Sequence, residues 1–298
     1  MKLKFGFWPR RCELRVSDIF IAPLAEFDSV VEGIAASGRV ADNWFYPPLV
    51  RQYTSGVGSE NQPLVADSAY GLPPTHRIDL PSSDGAEQRG NFLIATAGML
   101  DGLRLIQQGW SHFYRCAVKL QTIGDVFCTS HEIEVVVAAA LQFWDAADAE
   151  ARHLIFGAIH WCMFADSYVH EFERFGAHYT VFDTCFRLHC HQAGKRITVP
   201  HAKRPSFLAS QYDMPVPSWA VVATDGSCEL SKLRNEFIHE ARYGGEPIGF
   251  AHPEFNPSID LQLLGFNMRL IVAMLGVDCT YIKSPVDTRS MHDIGLPR

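Results

Sequence analysis

Apolar positions follow two periods along the chain, and the change between them comes near residue 90. Before it, KLKFGFW and CELRVSDIFIA are short runs of β-branched and aromatic residues, which predict strands. FDSVVEGIAASG predicts a short helix ending at Gly38. From Tyr46 to Pro81 the chain is rich in Pro, Gly and Ser and predicts a long loop, a feature often tied to function in a compact domain. After residue 90 the period becomes helical. Phe92, Thr96, Met99, Leu103 and Ile106 share one face, with Gly109 placed to end that helix. Ile133, Val137, Ala140 and Trp144 repeat the pattern. Tyr168, Phe172, Phe175, Tyr179, Phe182 and Phe186 follow at spacings of 4, 3, 4, 3 and 4, one aromatic stripe down a single helix. A stripe of this kind is a helix–helix seam, not a cofactor box.

Four prolines between 193 and 220 predict a crossing loop with short helical pieces. A short helix then carries ELSKLRNEFIHEA. The last helix buries Leu261, Leu264, Met268, Ile271 and Leu275, with Ser258 as N-cap, Asp260 in the first turn and Gly276 just past the end. The expected class is α+β and mainly α: a smaller N-terminal α+β or β-rich region over residues 1–88, and a helical bundle with one long crossover over 89–298.

Composition narrows the functions open to such a chain. It is 47% hydrophobic and 20% charged, as a protein with a packed core is. A formal net charge of −7 argues against non-specific coating of nucleic acid, though not against a local basic pocket. No apolar run is long enough for a membrane span. MKLKFGFWPRR lacks a signal core, so no membrane association and a cytoplasmic location are expected. Eight cysteines without a CxxC pair suit reduced, buried positions. The chain has no P-loop, dinucleotide-type glycine fingerprint or G-x-S-x-G elbow, and no cofactor is expected.

The residues that packing does not explain lie in RNEFIH. Leu230, Leu233 and Phe237 face the bundle, leaving Arg234, Asn235 and His239 outside it. Asn235 and His239 are i,i+4 neighbours, whereas Arg234 needs side-chain reach to join them. Histidine moves protons near neutral pH, arginine neutralises a developing phosphorane, and a neutral amide orients either. On RNA this set would let a 2′-hydroxyl attack its own phosphate without a metal.

Arg-Asn-x-x-x-His near the end of a bundle helix resembles the R-x4–6-H signature of the HEPN superfamily. The order of segments over about residues 90–290 resembles its ApeA-like branch: YVHEFERFGAHYTVFDTCFRL, then HAKRPSFLASQYDMPVP, then LRNEFIHEA and a closing helix. The resemblance implies a homodimeric helical bundle and, in many members, metal-independent endoribonuclease activity, often in toxins or antiphage defence. It gives Arg234 the scissile phosphate, His239 the acid or base role and Asn235 the polar support. Other members have lost catalysis and bind ligands or partners.

Two further groups bear on the site. Arg196, Lys203 and Arg204 lie in the densest basic segment and are candidates to line an RNA groove. Arg196 and His201 repeat the R-x4-H spacing, but Pro200 and three β-branched residues argue against a helix there. Cys185, His189, Cys190 and His191 are dense enough to suggest zinc, yet a second ligand pair at standard spacing is missing. The expected role of those histidines is to suit a helix C-terminus. Glu171 and Glu173 are possible ion-pair partners of Arg234.

Overall fold

The structure, a computed structural model, describes residues 1–51, 64–66, 69–194, 197–249, 258–287 and 290–297. Helix accounts for 48% of it and strand for 13%, a mixed fold in which helix dominates. The N-terminal strands are β1 (Lys2–Gly6), β2 (Leu14–Val16) and β3 (Ile19–Pro23), followed by helix α1 (Phe27–Ala35). With His76–Asp79 and Ile106–Gln107 they make a five-stranded antiparallel sheet, ordered β2, β3, His76–Asp79, β1, Ile106–Gln107. Leu3 and Ile21 both pair with Ile78, which aligns three apolar side chains across the sheet.

The helices that follow are α2 (Ala86–Leu100), α3 (Ser130–Ala146), α4 (Ala149–Ala165), α5 (Glu171–Gln192), α6 (Arg204–Gln211), α7 (Glu229–Asn235) and α8 (Ser258–Met274). One buried cluster runs from Leu3, Phe5 and Trp8 in the sheet region through Phe92, Ile133, Phe175 and Phe182 to Phe266. The division expected at 88/89 falls inside α2, and Ile106–Gln107, from beyond it, pairs with β1. Among the described residues no helix is long and apolar enough to cross a membrane.

Several local expectations need correction. The first long helix ends at Leu100, not near Gly109. Gly102 adopts φ 63°, and the amides of Gly102 and Leu103 turn back onto the carbonyls of Met99 and Gly98. This left-handed stop satisfies the end of the helix and sends Ile106 into the sheet. Helix α4 was not anticipated; its mixed pattern hides between two clearer ones. Tyr168 precedes α5 and is not part of its stripe. The rest of the stripe is core: Phe175, Tyr179, Phe182 and Phe186 are buried, and Phe182 packs on Phe266 of α8. Leu261 is 48% exposed and lies off the buried face of α8. That helix does end as its sequence predicts, with Gly276 at φ 78° and its amide on Ala273.

Candidate functional site

Helix α7 forms because Leu230 and Leu233 bury one side of it, while Ser231 and Cys228 exchange hydrogen bonds at its start. At Glu236 the coil widens. Residues Glu236–Glu240 form a π-helical turn, and the Ala241 amide donates five residues back to Glu236. Ala241 then ends the helix at φ 52°. A two-residue hairpin follows, pairing Arg242–Tyr243 with Glu246–Pro247. Its turn residues, Gly244 and Gly245, have φ of 62° and 86°, a geometry that side chains with a Cβ resist. The hairpin clamps the widened turn. The Gly245 amide donates to the Glu236 carboxylate at 2.9 Å, and Tyr243 is buried against Phe175. On the inner side, Phe237 lies edge-on to Phe175 and directly over Gly176 of α5.

The widened turn decides which side chains meet. In a regular α-helix, residues five apart point about 140° away from each other. A π turn closes over five residues and brings them back together. Accordingly Arg234 Nη1 donates to His239 Nε2 at 2.9 Å and to Asn235 Oδ1 at 2.9 Å. Asn235 and His239 are joined through the guanidinium, rather than by the direct i,i+4 contact that α-helical spacing predicts. Arginine only donates, so in this contact Nε2 of His239 accepts and the imidazole proton sits on Nδ1. Asn235 and His239 are exposed; Arg234 is half-buried, and its Nε–H is a buried donor without a partner among the described residues.

Two groups from other elements extend the cluster. Tyr179 of α5 lies near Arg234, and its hydroxyl contacts His201 Nδ1 at 3.0 Å. Burial pushes the Tyr179 phenol up, with Asp183 adding to the effect and Arg234 and Arg204 opposing it. His201 is pushed below the usual imidazole value by burial, then by Arg204 and Arg234, against Asp183. The sequence had flagged His201 only through its spacing from Arg196. The crossing loop starts a short 3-10 turn at His201–Lys203, which sets His201 among Tyr179 and Asp183 of α5, Arg204 of α6 and Arg234 of α7. Helical phase could have pointed to Tyr179, the one polar-tipped ring in the buried stripe.

The basic candidates fare differently. Lys203 is exposed beside His201. Arg204 is held by Asp183 at 2.5 Å, donates to the Val199 carbonyl and lies 4.4 Å over the Phe186 ring, so it stiffens the wall of the site. Arg196 lies outside the described residues. Glu173 caps its own helix by accepting from the His170 amide.

The Cys–His group disperses. Cys185 is fully buried, and burial pushes its thiol up to about 12. His189 contacts the Tyr212 hydroxyl at 3.1 Å, and His191 contacts Asp148 at 2.8 Å. Among the described residues no three histidine, cysteine or acidic side chains converge as a metal site would require.

Arg234, Asn235 and His239 thus form a polar cluster on a solvent-facing turn, with Tyr179 and His201 nearby. Compared with protein-family models, curated proteins and solved structures, the chain matches none.

Proposed function

We propose that the chain is a metal-independent endoribonuclease of the HEPN type, acting on RNA through its own 2′-hydroxyl. The observation that carries this is the guanidinium of Arg234 shared between Asn235 and His239, both at 2.9 Å, on a solvent-facing turn. It supplies an accepting imidazole nitrogen next to a cation with spare donors. A phosphate drawn to Arg234 would take up its N–H groups in charge-assisted bonds. That would release His239 Nε2 to accept the 2′-hydroxyl proton. The 2′-oxygen then bonds to phosphorus, the bond to the 5′-oxygen breaks, and the departing oxygen takes a proton. The products are a 2′,3′-cyclic phosphate and a 5′-hydroxyl.

Exposed Asn235 and His239 side chains are poorly shielded from water, and low dielectric is what makes such electrostatics effective. This favours a homodimer in which a second copy covers the first, the assembly that the family resemblance implies. A role in toxin action or antiphage defence belongs to the same proposal.

The test is cleavage of single-stranded RNA by the purified chain in EDTA. The wild type is expected to cut and leave cyclic phosphate ends, and Arg234→Ala and His239→Ala to lose at least 100-fold in rate. Both variants cutting at the wild-type rate would remove the proposal.

A further inference from the structure

We infer that His201 is the second proton-transfer residue of this site, contributed by the same chain as His239. The inference rests on the ribonuclease proposal above and sharpens it. Cleavage through a 2′-hydroxyl moves two protons: one leaves the attacking oxygen, and one must reach the departing 5′-oxygen or that bond breaks slowly. The family pattern would take the second imidazole from the other subunit. Here one lies near Arg234 within the same chain.

His201 begins a 3-10 turn in the crossing loop, and its Nδ1 is held by the Tyr179 hydroxyl at 3.0 Å. That contact fixes the ring and leaves Nε2 for a ligand. The turn that carries His201 packs against α7, and Tyr179 lies close enough to Arg234 to feel its charge. Arg234 therefore bonds His239 directly and has the Tyr179–His201 pair as a neighbour. A phosphate drawn to Arg234 would then have an imidazole nearby for each of the two proton transfers.

The roles differ. His239 Nε2 already accepts a hydrogen bond, so it takes the 2′-hydroxyl proton. His201, as imidazolium, gives its Nε2 proton to the 5′-oxygen. The groups facing it are Tyr179 and Asp183 of α5, Arg204 of α6 and Arg234 of α7. Burial and the two arginines outweigh Asp183 and lower its pKa, so the acid form is lost below the usual imidazole range. Activity is therefore expected to decline as pH rises, along a limb that lies below 6.5 and is set by His201. Tyr179 acts as a positioning residue.

Two measurements test this. The first is the pH–rate profile of RNA cleavage. His201→Ala is expected to lower kcat about 100-fold or more, to leave KM within about threefold and to lose the alkaline limb. Tyr179→Phe should lower kcat less and displace that limb. If His239→Ala is inactive while His201→Ala keeps the wild-type rate and profile, the inference is overturned and the ribonuclease proposal stands.

The second measurement needs no turnover. Cytidine 3′-monophosphate is titrated into the wild type while the Cε1–H signals of both histidines are followed by NMR. The expected result is that both signals shift along one binding curve, lost together in Arg234→Ala. If only His239 responds, or neither does, His201 is not part of the site. Joint response in a chain that cuts no RNA would remove ribonuclease activity but keep the paired-imidazole phosphate site.

Discussion

Gly176 and Gly157 both sit inside helices, where alanine is favoured by about 1 kcal/mol over glycine. Their surroundings differ. A Cβ at Gly157 would meet nothing within 4 Å, whereas one at Gly176 would lie 2.7 and 2.8 Å from Cε1 and Cζ of Phe237. Carbon atoms in contact sit about 3.5–4.0 Å apart, so the Phe237 ring would have to retreat by about 1 Å. It cannot move inward, because Phe175 occupies that side. Overpacking of this kind costs about 1–3 kcal/mol, which outweighs the helical gain. Gly157→Ala is therefore expected to stabilise the protein by up to about 1 kcal/mol, and Gly176→Ala to destabilise it by roughly 1 kcal/mol. Urea unfolding measures both. Phe237 also lies between Arg234 and His239 on the widened turn, so its retreat should break their hydrogen bond. The 15N shifts of His239 report this through the Nδ1–H tautomer, populated in the wild type and mixed in Gly176→Ala. If Gly176→Ala gains as much stability as Gly157→Ala and keeps the tautomer, Phe237 does not set the turn.

Stability should fall in mild acid. Burial pushes His76 down to about 4, so its folded value lies below the unfolded 6.5, and its contribution is complete above pH 6.5 and drains away as pH falls toward 4. His76 alone should cost roughly 3 kcal/mol by pH 4.5, with His160 (about 4) and His112 (about 3) acting the same way; urea unfolding against pH should show a shallower slope in His76→Gln. Asp101, fully buried, accepts from Trp8 Nε1 at 2.6 Å and from Arg10 at 2.6 and 2.7 Å. Asp101→Ala should cost about 3–5 kcal/mol and shift Trp8 emission to the red, since Arg10 is left half-enclosed without its acid. A loss under about 1 kcal/mol would contradict that accounting.

Hydrophobic period located most of the helices because burial on one face is a repeated local demand. Ile133, Val137, Ala140 and Trp144 are all buried as their spacing requires. What failed has a common cause: elements whose limits are set from a distance. Gly102 ends α2 because the chain must turn there, and a Cβ on it would stand 2.2 Å from the Ile123 carbonyl oxygen. Nothing within residues 98–106 announces that oxygen. The resulting two-residue strand at Ile106 depends on β1, about a hundred positions earlier.

The site was legible in its residues and not in its geometry. RNEFIH named Arg234, Asn235 and His239, and α-helical spacing then paired the wrong two. A π turn adds no composition signal of its own; the five residues EFIHE would suit an ordinary helix. Its causes lie on either side. Phe237 needs the space over Gly176, and the Gly244–Gly245 hairpin returns an amide to Glu236. Each contact holds one edge of the turn, and together they bring a guanidinium and an imidazole five residues apart into hydrogen-bond range. The same reasoning applies to charge. The chain as a whole is at −7, yet around Tyr179 the fold gathers Arg204, Arg234 and the His201 imidazole, with Asp183 tied to Arg204. A net negative protein can be locally positive only where the fold concentrates its cations, and here α6 brings Arg204 and α7 brings Arg234 to the side of α5 that carries Tyr179.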